Sequence, residues 1–279
     1  MSIKRRVFRI YGTFFTRKYF FKLNKFLFNL SLRGIGVLNY ENDFLSGEDN
    51  FLCSMLKDAN DYLILDVGAH VGLYSKKIKE ICPSAKVYAF EPHPVTFQKL
   101  RDKADTQGYT ALNLGCSDVK GKFDLYDYQE KEASVSQGSS HASLFAGVIQ
   151  DIHKSTGSNS WSVQVTTIDD FVEEYGISRI DLLKIDTEGN EYKVLLGAKK
   201  SIKEDKIDVI QFEFNEMNIV SRVFFKDIFD LLPNYSFYRL LPYGLAPLIN
   251  YSPLYCEIFA YQNIVAIKQG VDLRISIYD

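Results

Sequence analysis

Five acids in this 279-residue sequence stand at or near the ends of short apolar runs. Asp66 follows Leu63-Ile64-Leu65 and opens a glycine turn, Asp66-Val67-Gly68-Ala69-His70-Val71-Gly72. Glu91 follows Lys86 to Phe90 and precedes Pro92. Asp186 ends the run Ile180 to Ile185, with Glu188 two residues on. Glu213 lies in Gln211-Phe212-Glu213-Phe214-Asn215. Glycines between a strand and a helix permit a tight turn and close backbone approach to a ligand, although such a turn is often only a turn. An acid about 20 positions later, ending the next strand, can accept hydrogen bonds from both ribose hydroxyls. Together the turn and Glu91 point to an adenosine-containing cofactor.

Charge selects among such cofactors. A dinucleotide places its pyrophosphate at the helix N-terminus, where a carboxylate at Asp66 would repel it. S-adenosylmethionine has no phosphate and carries a sulfonium and an ammonium group, which Asp66 would attract. The turn also lacks G-x-G-x-x-G spacing. The residues therefore favour S-adenosylmethionine over NAD. Asp186 needs a ligand or partner directly after a buried strand. Glu188 and Glu191 also suit the N-terminus of the next helix. Gln211, Glu213 and Asn215 share one strand face by alternation, and either a site or a solvated edge accounts for them.

These acids need strands to deliver them. Residues 62–65, Lys86 to Phe90, Thr110 to Leu114, Phe123 to Tyr126, Ile180 to Ile185, Asp208 to Phe214, Tyr235 to Leu241 and Asn263 to Lys268 read as strands. Helical stretches between them cover Leu73 to Cys82, Val95 to Ala104, Ile168 to Tyr175, Glu191 to Ala198 and Val223 to Leu232. Pro94 suits a first helical turn and Thr167 an N-cap. The alternation predicts an α/β fold, a mostly parallel sheet with helices on both faces. Residues 127–162, rich in Ser with Gly at 138, 147 and 157, read as an insertion or lid.

Composition sets outer bounds. With 46% hydrophobic and 24% charged residues the chain is ordinarily globular, and 17 Gly and 7 Pro exclude a collagen-like chain. Cys53, Cys82, Cys116 and Cys256 form no C-x-x-C pair, so no zinc site or disulfide framework is expected, in keeping with a reducing cytosol. Net charge is −2, but nine of the 33 basic residues lie in the first 35 positions, and no acid precedes Glu41. The body is acidic, which argues against nucleic-acid binding in general. Residues 1–50 divide into a basic, aromatic arm and a polar junction, and 51–279 form the main domain. In the arm, Phe20, Leu23, Leu27 and Leu30 recur at helical spacing opposite Lys18, Lys22 and Lys25. Two readings stand open: a helix packed on the domain, or peripheral contact with an anionic membrane. Basic residues interrupt every apolar run, so neither a spanning segment nor a secretory signal is expected, and the default location is cytoplasmic.

The sequence resembles the FkbM family of S-adenosylmethionine-dependent methyltransferases, with a Rossmann-like class I sheet. The carrying residues are the Asp66–Gly72 turn, Glu91-Pro92, Ile180 to Glu191 and Phe212-Glu213-Phe214-Asn215. Ser46-Gly47-Glu48 and Glu257 to Asn263 add to the likeness. The resemblance implies O-methylation, often of sugar hydroxyls in glycans or glycosylated small molecules. By position, Asp66, Gly68 and Gly72 would line the methionine part and Glu91 would hold the ribose, with Ala69, His70 and Pro92 among the cofactor-binding positions. Ser117 would lie near the adenine and Asp186 near the reacting methyl group. Glu188, Asp186 and Glu213 are the candidate proton acceptors, Glu188 first. No metal is implied. His70 suits a backbone contact better than a base, and His141 is a weaker candidate. His93 and His153 have no evident partner in the sequence. Tyr243, Tyr251, Tyr255 and Trp161 are candidates for stacking on a sugar. An NAD-dependent oxidoreductase on a similar sheet and a non-catalytic glycan-assembly protein are the alternatives. N- or C-methylation stays open within the first class.

Overall fold

A computed structural model describes residues 2–58, 60–128, 142–145, 147–148 and 158–278. Helices α1 (Ile3–Phe14) and α2 (Phe21–Gly34) form the arm, and α3 (Asp43–Ser46) and α4 (Glu48–Leu56) follow it. Alternation begins with β1 (Leu63–Val67), α5 (Leu73–Ile81), β2 (Lys86–Phe90), α6 (Pro94–Gln107) and β3 (Thr110–Leu112). Three strands, β4 (Gly115–Cys116), β5 (Gly121–Tyr128) and β6 (Ser158–Thr166), then make a small sheet of their own, in the order β4-β6-β5. Next come α7 (Ile168–Glu174), β7 (Ile180–Ile185), α8 (Glu191–Leu196), α9 (Lys199–Lys203) and β8 (Ile207–Glu213). The chain closes with α10 (Met217–Ser221), α11 (Phe225–Leu231), β9 (Tyr235–Leu241), β10 (Gly244–Pro247), α12 (Pro253–Cys256) and β11 (Asn263–Lys268).

The main sheet has eight strands in the order β10-β9-β11-β8-β7-β1-β2-β3. Strands β3, β2, β1, β7 and β8 pair in parallel. Strand β11 inserts antiparallel between β8 and β9, and β10 returns antiparallel on β9. One end of the sheet is therefore less parallel than the strand–helix rhythm predicts. The short connection from β9 to β10 allows only a hairpin, not a crossover.

Alternation along the inner strands feeds two cores. Leu65 and Val67 of β1, Leu183 and Ile185 of β7, and Ile210 and Phe212 of β8 bury into one. Ile64, Leu182 and Val209 of the same strands bury into the other. Each such side chain contributes about 1.5–3 kcal/mol of burial. Apolar cores on opposite faces place helices on both, as predicted. Helix starts carry the expected caps. The Thr167 side chain accepts from the Asp170 N–H, and Pro94 opens α6 behind His93.

Two differences matter for function. The serines of Ser158–Thr166 do not prevent a strand, because Val163 and Val165 alternate inward against Leu125. The run at 123–126 joins this small sheet rather than the main one. The lid reading for 129–141 and 149–157, with His141 and His153, lies outside the described residues. The arm also differs. Leu23, Leu27 and Leu30 are 45%, 41% and 49% exposed, so this apolar face does not pack on the domain. Among the described residues no helix is long and apolar enough to cross a membrane.

Candidate active site

From β1 the chain turns to β2 and β3 on one side, and later fills β7 and β8 on the other. This reversal opens a crevice at the carboxyl ends of β1 and β7, the usual ligand position in such sheets. Two cavities lie there. The first, about 170 Å³, is lined by Gly68, His70, Glu91, Pro92, Cys116, Asp186, Glu188 and Asn190 among others. The second, about 180 Å³, shares Gly68, His70 and Asp186 and adds Ala69, Asp43, Glu48, Tyr74, Lys77 and Lys184.

Gly68 brings the β1 and β7 turns into contact. Its φ is +81°, and a Cβ there would fall 1.7 Å from the Asp186 carbonyl oxygen. Only glycine fits that approach. Gly72 serves packing instead. It opens α5 at φ +81°, a Cβ would meet the Tyr109 hydroxyl at 2.4 Å, and it lines neither cavity. His70 has φ +50°. Its N–H donates to Glu91 Oε2 at 2.9 Å, while the His93 N–H donates to Glu91 Oε1 at 2.8 Å. Glu91 is buried, and burial pushes its carboxyl up to about 7 against the pull of those two N–H groups.

A polar row crosses the sheet beneath the second cavity. Register aligns Asp66 of β1 with Lys184 of β7, and Lys184 with Gln211 of β8. Asp66 is fully buried and accepts from the Ser75 hydroxyl at 2.6 Å. Lys184 Nζ lies 3.6 Å from Asp66 and 3.0 Å from Asp186, over the Tyr74 ring. Burial opposes its charge, but Asp186, Asp66 and Glu48 together hold the ammonium above its ordinary range. Gln211 accepts from the Tyr74 hydroxyl at 2.5 Å and donates to Glu48 at 2.7 Å. Asp66 thus lines neither cavity, and the charge argument made for it passes to Asp186.

The turn after β7 is fixed from within. Glu191 Oε1 accepts from the Thr187 N–H at 2.8 Å, the Thr187 hydroxyl at 3.0 Å and the Gly189 N–H at 3.2 Å. Burial raises this carboxyl to about 7. Glu188 faces the first cavity from a left-handed backbone, φ +54°, and its carbonyl accepts from Ser143 at 2.7 Å. Left-handed backbone at a non-glycine residue carries about 1–2 kcal/mol of strain. Glu213 ends β8, an interior strand between β7 and β11, so the solvated-edge account fails. Burial, then Asp186, Glu188 and Glu48, drive its carboxyl well above the usual range. Asn215 donates to it at 3.1 Å.

Other predicted positions fall outside. Ser117 is buried, with its N–H on the Thr166 carbonyl at 3.0 Å, and it lines neither cavity; Gly115 and Cys116 face the first cavity instead. The pairing of β4 with β6 holds Ser117 away. His93 does have partners. Its Nδ1 lies 3.4 Å from the Thr96 N–H, and its Nε2 lies 3.5 Å from Asp127. Trp161, Tyr243, Tyr251 and Tyr255 line neither cavity. Sequence reasoning assigned no role to Lys184, Glu48, Tyr74 or Asn190. The signals were a lysine inside the buried run Ile180 to Ile185 and the places of Glu48 and Asn190 within motifs that carry the resemblance.

This sheet order, with a cavity at its switch point and acids on the facing strand ends, is a Rossmann-like α/β arrangement with its crevice where such sheets take a ligand. The chain belongs to the FkbM methyltransferase family: residues 66–238 match the methyltransferase FkbM domain. It is 26% identical over 199 residues to 2-O-methyltransferase NoeI of Sinorhizobium fredii, covering 68% of this chain and 79% of that protein. It is 33% identical over 154 residues to methyltransferase sdnD of Sordaria araneosa, covering 48% and 60%. It is 26% identical over 171 residues to hexuronic acid methyltransferase AglP of Haloferax volcanii, covering 60% and 63%. The chain thus spans about six-tenths of the length of the last two. Membership sets aside the oxidoreductase and the non-catalytic readings: the protein is a methyltransferase.

Proposed function

We propose that this methyltransferase transfers the methyl group of S-adenosylmethionine to a hydroxyl oxygen of a sugar, in a glycan or a small-molecule glycoside. The carrying observation is the first cavity. Glu91 lines it with one backbone N–H on each carboxylate oxygen, which leaves each oxygen room for a ribose hydroxyl. Asn190 Oδ1 is buried at its wall with no hydrogen-bond partner among the described residues. The described lining holds Glu91, Asp186 and Glu188 and contains no Lys or Arg, which suits a cationic sulfonium and not a pyrophosphate. These residues fit the cofactor. Bound there, it would supply a methyl group already activated by its positive sulfur. Support for the acceptor class comes from relatives named as a 2-O-methyltransferase and a hexuronic acid methyltransferase.

The protein's own work is alignment and proton handling. Gly68 and Asp186, held together, position the reacting end of the cavity. A sugar hydroxyl must lose its proton as it attacks, and Glu188 is our first candidate to accept it, with Glu213 second. Asp186 is engaged with Lys184, which favours a positioning role. The test is transfer of labelled methyl from S-adenosylmethionine to a panel of nucleotide sugars, glycosides and extracted glycans. Label on a sugar oxygen supports the reading. Label only on nitrogen or carbon acceptors, or only on nucleic acid, would overturn the acceptor class.

A further inference from the structure

We propose that the arm docks the enzyme on a membrane surface rich in anionic lipid, lying in the headgroup plane. Helix α1 carries Ile3, Val7, Ile10 and Phe14 at spacings of four, three and four, which makes one stripe along the helix. These residues are 84%, 54%, 50% and 55% exposed. Arg5 and Arg9 lie on the opposite side. Helix α2 repeats the device with Leu23, Phe26, Leu27 and Leu30, all exposed, beside Lys22 and Lys25. The two helices are tied to each other. The Tyr11 hydroxyl donates to Asn24 at 2.6 Å, and Asn24 donates to the Phe15 carbonyl at 2.7 Å. The Tyr11 and Phe15 rings stack at 4.9 Å. The base of the arm is anchored to the body, where Val37 is buried and the Leu38 N–H donates to the Tyr261 carbonyl at 2.8 Å.

Charge identifies the occupant. Of the nine basic residues, only Arg33 meets a carboxylate among the described residues, and that partner, Glu41, lies past the arm. Two apolar stripes on a surface without a single acid fit a partner that is apolar inside and uniformly negative at its boundary. An anionic bilayer is such a partner, and amphipathic helices bind it by burying the apolar face while Lys and Arg meet the headgroups. Neither helix can span, so the contact is peripheral.

The experiment is co-sedimentation of the full chain with vesicles. With equal parts phosphatidylcholine and phosphatidylglycerol at low salt, most of the protein should pellet. Raising salt to about 0.5 M should release it several-fold, since screening then acts within a few ångströms. Pure phosphatidylcholine should retain little. Two variants separate the parts: Arg5→Glu with Arg6→Glu and Arg9→Glu, and Val7→Ser with Ile10→Ser and Phe14→Ser. Each should weaken vesicle binding at least about tenfold. Both should leave the melting temperature and cofactor affinity unchanged, because these side chains touch neither core nor cavity. Protein that stays in the supernatant with anionic vesicles at low salt overturns the proposal. So does equal binding to both vesicle types, or an arm-dependent dimer that ignores lipid.

Discussion

Glu91 offers the sharpest test of the cofactor assignment, because its protonation state governs what it can accept. Burial raises its carboxyl to about 7, and the His70 and His93 N–H groups favour the ionised form without overcoming burial. His93 and Asp66 also act on it, the first lowering and the second raising its pKa. Two ribose hydroxyls donate best to a carboxylate, so binding should demand the ionised state. With a pKa of about 7, roughly one molecule in eleven is ionised at pH 6 and about ten in eleven at pH 8. Cofactor affinity should therefore rise about tenfold between those values, or about 1.4 kcal/mol. Stability should run the other way. The folded pKa lies above the unfolded one, so the native state holds the proton more tightly. Stability is full below about pH 4.5 and is lost as pH climbs through 7, by about 3 kcal/mol for this group. Glu91→Gln removes the titration but turns an amide toward one of the two N–H donors. It should lose about 1–3 kcal/mol of stability, and its weaker affinity should be flat with pH. Calorimetric titration with S-adenosylhomocysteine from pH 6 to 8 reads all of this. A flat wild-type profile, or wild-type affinity in the variant, would refute the ribose role.

Three further outcomes follow from the geometry. Glu188→Gln should lower turnover about 10²–10⁴-fold on the true acceptor while cofactor affinity barely moves, as single-turnover kinetics beside calorimetry would show; turnover within a few-fold of wild type passes the role to Glu213. Lys184→Met strands the buried Asp66 and should destabilise the fold by about 3–5 kcal/mol in urea unfolding, whereas a surface ion pair would register under 1. Gly68→Ala must push the Asp186 carbonyl away at a left-handed backbone position; it should abolish cofactor binding and cost about 2 kcal/mol or more by thermal melting.

The fold is legible where an apolar run marks a strand of the main sheet. Lys86–Phe90, Ile180–Ile185, Tyr235–Leu241 and Asn263–Lys268 have the ends that their apolar runs indicate. Strand direction and sheet membership are not written in such runs. Nothing in Asn263–Lys268 says that it enters antiparallel between β8 and β9, because that depends on where the β9–β10 hairpin leaves an open edge. Likewise residues 158–162 read as part of a Ser-rich insertion by composition, since the strand they begin is marked only by Val163 and Val165 beyond them, which turn inward once β5 lies alongside.

The site divides along the same line. Acids at strand ends are visible because a parallel sheet must gather its carboxyl ends, whatever the strand order. Lys184 is different. In sequence it merely interrupts an apolar run, and its meaning comes from a register that sets Asp66 on one side and Gln211 on the other. That register also explains why Asp66, first in the motif, is withdrawn from the cavity: it helps neutralise a lysine the sheet has buried. One ammonium then faces Asp66, Asp186 and Glu48, and with Glu188 the excess negative charge adds to burial in pushing the Glu213 carboxyl above its usual range. On the proposed reading, a sulfonium held beside Asp186 would offset part of that negative charge, and Glu213, the second candidate acceptor, would then ionise more easily.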